Sequence, residues 1–224
     1  MSIHRPVRVV GSLLLVAAGA FVAFAQSSKP AADLDPNSHA RLPYLKRADF
    51  DERAQKVYDT LPGRGQDGVL RGPLAFAAYN PGVAQALFAL HNAAVDEGTL
   101  DARTRELAIL VACRETNYSL EWNGHEQLGL KSGLDAKLIA VVHDNGPLTG
   151  LADKDAMVIR FGRQLYHDHK VDSPTFAKAV EVLGKRGLMD MVAVMNTYAV
   201  SGFYAIAVDE HMPPGRPELT RAAR

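Results

Sequence analysis

Residues 118–125 read YSLEWNGH and put Glu121 and His125 four positions apart. On a helix that spacing places both side chains on one face, close enough to touch. A carboxylate beside an imidazole fixes its tautomer and raises its proton affinity, which suits general acid–base work near neutral pH. Trp122 and Asn123 flank the pair, and Arg105-Glu106 stands one helix earlier at the start of a long apolar run. A charged side chain on the buried face of such a helix is costly unless paired. Spacing alone does not decide the matter, because Glu and His at i, i+4 also occur on ordinary solvated helices and contribute only a few tenths of a kcal/mol there.

The elements that must position these residues read as helices almost throughout. Asp49-Phe-Asp-Glu52 has the form of a capping box opening a helix to about Leu61. Asn80-Pro81 is an N-cap with proline at the first helical position, and Gly98 closes that helix. Asp101 caps ARTRELAILVACRETN, whose nearly all-round apolar surface marks a central helix. Ser119 caps a helix to Ser132, ended by Gly133, and Asp135 starts a short one to about His143. Asp153 begins a helix to about Lys170. Ser173-Pro174 begins another, closed by Gly187, and Leu188 to Val208 forms a last apolar helix that either lies in the core or packs on another subunit. No stretch alternates with period two, so the reading is all-α.

Length and charge bound the rest. His4, Arg5 and Arg8, then an uncharged apolar run Val9 to Ala25 ending Ala23-Phe24-Ala25, read as an export signal over residues 1–25. The alternative is a single membrane anchor, since the run approaches the roughly 20 residues needed to span. Residues 26–47 read as an extended linker or arm, 48–212 as the helical domain and 213–224 as a tail. Removing residues 1–25 takes away two arginines, leaving 25 − 2 = 23 basic against 25 acidic residues. That balance excludes the clustered basic face of a nucleic-acid binder. Cys113 is the single cysteine, so no dithiol chemistry and no intramolecular disulfide can occur. His167-Asp168-His169 is the densest histidine cluster. Its i, i+2 spacing points the rings apart on a helix, so no metal is expected there. His91 is expected to be exposed, and Asp209-Glu210-His211 to be loose charges at a helix end.

The stretch RTRELAILVACRETNYSLEWNGHEQLGLKSGL resembles the carboxymuconolactone decarboxylase family, through Arg103, Arg105, Glu106, Leu107, Tyr118, Glu121, Trp122, His125, Gly133 and Leu134 in matching order and spacing. The likeness extends over about 42–212. It implies an alkylhydroperoxidase D-like bundle of about seven or eight helices after the signal segment, assembled as a trimer or hexamer. It implies decarboxylation or proton transfer on a carboxylated lactone or related organic acid, without a cofactor. By that resemblance His125 is the proton donor and acceptor, Glu121 orients it and Glu106 completes the relay. Tyr118 and Trp122 shape the pocket, and Arg105 holds a substrate carboxylate, the alternative being an ion pair with a nearby acid, the commoner role of such an arginine. The family's peroxidase branch carries a CxxC pair where this chain has Tyr118 and Glu121, so the dithiol route is closed here; a peroxidase label at the level of the family, and a non-catalytic exported binding protein, are the alternatives. The expected setting is outside the cytoplasm, periplasmic or secreted, with no membrane span once the signal is cut.

Overall fold

The computed structural model describes residues 33–72 and 74–220; the proposed signal segment lies outside them. Among the described residues there are seven α-helices and no strand, only an isolated bridge between Arg64 and Leu70. The helices are α1 (Glu52–Tyr58), α2 (Pro81–Val95), α3 (Ala102–Glu115), α4 (Ser119–Lys131), α5 (Ala136–His143), α6 (Asp153–Arg163) and α7 (Ser173–Ala207). The all-α reading therefore holds.

Helix α3 is the axis of the fold. It packs on α4, α5, α6 and α7, and every side chain from Leu107 to Cys113 is buried. Full burial of one such aliphatic side chain contributes about 1.5–3 kcal/mol, so this helix is a major source of hydrophobic stabilisation. Asp101 caps it by accepting from the Thr104 amide at 2.8 Å. Arg103 ties its first turn to α6 with a two-pronged ion pair to Asp155, at 2.6 and 2.8 Å. The planar guanidinium fork matches a carboxylate in that geometry. The first arginine of the motif is thus structural.

Several boundaries differ from the sequence reading. The cap of α1 is Asp51, which accepts from the Ala54 amide at 2.7 Å; Asp49 instead accepts from the Lys46 amide. Helix α2 ends at Val95, short of Gly98. Tyr118 occupies the cap position of α4, and Ser119 is its first helical residue, its hydroxyl taken by the Leu219 amide. Helix α6 passes into a π-helical segment, Gln164–Asp168. The interruption of α7 falls at Gly184, where φ is +69° and ψ 169°, and not at Gly187, which is helical and buried. That backbone conformation needs a residue without a Cβ.

The two ends of the described chain are docked. Along the arm, the Arg41 amide donates to Val208 O and the His39 carbonyl accepts from the His211 amide, while Tyr44 stacks on Phe76. At the other end Pro217 O accepts from Asn123, Thr220 O accepts from Arg114, and Leu219 is buried in the main core. The segment read as a tail therefore straps α3 to α4. Leu219→Ala should cost about 2–4 kcal/mol by the cavity it leaves. Equilibrium urea unfolding would show it, and a cost near zero would mean the strap carries no packing.

Helix α7 lies in the core along one side. Leu188, Met191, Val194, Met195 and Tyr198 are buried, while Met189, Phe203 and Ile206 stand exposed on the other side.

Candidate active site

Helices α3 and α4 converge so that the first turns of one face the second turn of the other. His125 lies between two carboxylates. Its Nδ1 is 2.7 Å from Glu106 Oε2 on α3, and its Nε2 is 3.1 Å from Glu121 Oε2 one turn earlier on α4. All three side chains are largely buried, 9–13% exposed. The ring of Tyr198 from α7 meets the imidazole edge-on, with centroids 4.8 Å apart at 84°. Glu106 is tolerable inside an apolar helix because the imidazolium compensates it.

Burial opposes a charge on His125. Hydrogen bonds to Glu106 and Glu121, with their negative charges, outweigh it and raise the imidazole to about 9. At neutral pH the ring is therefore an imidazolium with a carboxylate on each nitrogen. Both ring nitrogens thus have a carboxylate oxygen close by, and all three side chains stand on the cavity wall.

A cavity of about 420 Å³ opens on this group, walled by α2, α3, α4, α7 and the loop after α1. Glu106, Glu121 and His125 form one side, and Leu74, Leu87, Phe88, Val95 and Leu128 form an apolar side. Arg105 also lines it. The guanidinium reaches Val95 O at 3.4 Å through Nη1; among the described residues its buried Nε has no hydrogen-bond partner and no carboxylate lies within ion-pair distance. The formal charges of the wall are Glu106 and Glu121 negative, His125 and Arg105 positive. Arg71, paired with Asp67, also reaches the wall, so cations outnumber carboxylates there.

Of the six residues singled out in the sequence, the structure brings Glu106, Glu121, His125 and Arg105 together around the cavity. Tyr118 and Trp122 lie outside its lining. Trp122 is one residue on from Glu121, so it is rotated about 100° around the helix. It is buried in the main core and packs edge-on against His143. Tyr118 precedes α4 and is buried with its hydroxyl unpartnered. His91, expected at the surface, is half-buried in the cavity wall with its ring 5.9 Å from Tyr198. Tyr198, Thr197 and Ser201 of α7 also line it. No spacing rule could have found them, because α7 meets α3 only through the tertiary fold. His167 is exposed and pairs with Glu115 at the far end of α3. Cys113 is fully buried, and burial together with the nearby Glu121 and Glu106 charges holds it as a thiol. A thiol so placed is a packing group, since reactivity needs the thiolate and access.

No curated protein matched the sequence. The likeness read over about 42–212 is matched in its central part: residues 81–150, which hold α2 to α5 and with them Arg105, Glu106, Glu121 and His125, carry the sequence pattern of the Carboxymuconolactone decarboxylase family.

Proposed function

We propose that the protein is an exported enzyme that moves a proton on a small carboxylated lactone or related organic acid, as a decarboxylase-type lyase without a cofactor. The observation that carries this reading is the Glu106–His125–Glu121 chain opening on a half-apolar cavity with an unpaired arginine. The leader-like residues 1–25 support export, and expression would start at Gln26.

In this reading Arg105 holds a substrate carboxylate and the apolar wall takes the carbon skeleton. When a second carboxyl group leaves as CO2, its C–C electron pair stays on the substrate as a dienolate. Glu121 faces that carbon. It receives the Nε2 proton of the imidazolium and delivers it to carbon, while His125 keeps its Nδ1 proton toward Glu106. The neutral imidazole is then reprotonated from solvent through the open cavity. This reading exchanges the two roles drawn from the resemblance, with Glu121 meeting the substrate and His125 supplying its proton; the contacts of both ring nitrogens to carboxylates support it. Positioned proton transfer of this kind contributes about 10²–10⁴-fold.

An ultraviolet assay of residues 26–224 against 4-carboxymuconolactone and a panel of related lactones and keto acids tests the reading. Arg105→Met should raise KM about 10–100-fold with a smaller change in kcat, as expected for one lost charge-assisted contact. Turnover with an unchanged KM in that variant would remove Arg105 from substrate binding. No turnover on any compound by a folded protein would remove the lyase reading itself.

A further inference from the structure

When CO2 leaves a lactone or keto acid, the electron pair left behind collects on the conjugated carbonyl oxygen. The chemistry above gives that oxygen no partner. Arg105 is taken by a carboxylate, and each nitrogen of His125 has a carboxylate oxygen close by. The α7 side of the cavity carries three hydroxyls, those of Thr197, Tyr198 and Ser201. Two are spent inside the helix: Thr197 donates to Ala193 O at 2.8 Å, and Ser201 to Thr197 O at 3.4 Å. Among the described residues the Tyr198 hydroxyl makes no hydrogen bond. Unlike the hydroxyls of Tyr118 and Tyr166, it is not sealed from solvent, and its residue belongs to the cavity wall.

The ring that carries this hydroxyl is fixed from three sides. Tyr198 is only 5% exposed and packs in the main core. His125 of α4 meets it edge-on at 4.8 Å between centroids, and His91 of α2 stands 5.9 Å away. One turn further along α7, Gly202 lies so close to the end of α3 that a Cβ there would stand 2.6 Å from Thr116 Oγ1. The helix is therefore seated tightly just where Tyr198 leaves it. Burial, and next the Glu121 charge, hold the phenol proton well above its usual range, so the hydroxyl stays a donor.

We propose that Tyr198 is a catalytic residue whose hydroxyl donates a hydrogen bond to the substrate oxygen that becomes negatively charged as CO2 leaves. The proposal rests on the lyase reading and adds the one donor that reading lacks. The C–C bond breaks, its electron pair passes through the conjugated system to the carbonyl oxygen, and Tyr198 holds that oxygen without giving up its proton. When Glu121 delivers a proton to carbon, the pair returns and the C=O re-forms. A neutral donor suits this role. Its bond to an uncharged carbonyl is ordinary and roughly doubles in strength once the oxygen is an anion, so it favours the transition state over the bound substrate.

The test uses residues 26–224 and two coloured probes. One is 4-hydroxy-3-nitrobenzoate, held as its phenolate, which joins a carboxylate to a conjugated oxyanion. The other is 3-nitrobenzoate, which lacks that oxygen. Tyr198→Phe removes one unpartnered hydroxyl and keeps the ring, so the fold and the contact with His125 survive. It should weaken phenolate binding about 10–100-fold, the loss of one hydrogen bond to a charged group, and leave 3-nitrobenzoate binding unchanged. Equal losses for both probes, or none for either, would overturn the proposal, and so would a wild type that binds neither. On a substrate from the lactone panel the same variant should lower kcat by about 10²–10³-fold with KM little changed. Selective loss of the phenolate in a protein that turns over no compound would uphold the donor and count against the lyase reading alone, so the two failures are separable.

Discussion

His125→Ala is expected to destabilise the protein by about 3–5 kcal/mol at pH 7. Glu106 and Glu121 are both largely buried, and His125 is the cation that each contacts. Removing one partner of a buried ionic group leaves uncompensated charge, a cost of that size. The same pairing gives the wild type a pH dependence. The folded imidazole titrates at about 9, above the 6.5 or so of an unfolded histidine. A group whose folded value is raised contributes stability that is fully present below the unfolded value and is lost as pH rises through the folded one. Wild-type stability should therefore fall between about pH 6.5 and 9, by an amount on the order of 3 kcal/mol. The His125→Ala protein should lack that slope. Urea unfolding at a series of pH values measures both, and a flat wild-type profile across that window would mean the ring is not charged in the fold.

Glu121→Gln is the larger change in chemistry. The amide keeps the shape and a hydrogen bond to His125 but can neither carry a proton nor balance the imidazolium. On a substrate found by the lactone panel, kcat should drop by about 10²–10⁴-fold while the protein remains folded. This variant is a cleaner probe of catalysis than His125→Ala, because a lost rate in the latter is confounded with lost stability. A Glu121→Gln enzyme working at the wild-type rate would place the proton carrier elsewhere, with Glu106 as the next group on the cavity wall.

Much of this arrangement was legible because it is local. The i, i+4 spacing brought Glu121 and His125 to one face, and the Asn80, Asp101 and Asp135 caps set where α2, α3 and α5 begin. From its own residue pattern Glu106 was only an anomaly, a charge in an apolar helix; the resemblance gave it a place in the relay, and its contact to His125 comes from the tertiary crossing of α3 and α4. Trp122 and Tyr118, which the resemblance put in the pocket, lie outside its lining: Trp122 is rotated about 100° from Glu121 around α4, and Tyr118 precedes that helix. His91 and Tyr198 were out of reach for a different reason: α2 and α7 bring them in from distant parts of the chain. The break of α7 also moved, since Gly184 and Gly187 read alike in sequence and only the backbone at Gly184 turns to positive φ.

The claim on which the account turns is that His125 is an imidazolium with both nitrogens bound by carboxylates. Nitrogen-15 NMR of the His125 ring, assigned against a His125→Gln protein, tests it most directly. The account predicts two protonated ring nitrogens at pH 7.5 and a single titration centred near 9. A ring that is neutral at pH 7.5, with one nitrogen unprotonated and open toward the cavity, would contradict it and return the substrate-facing role to His125.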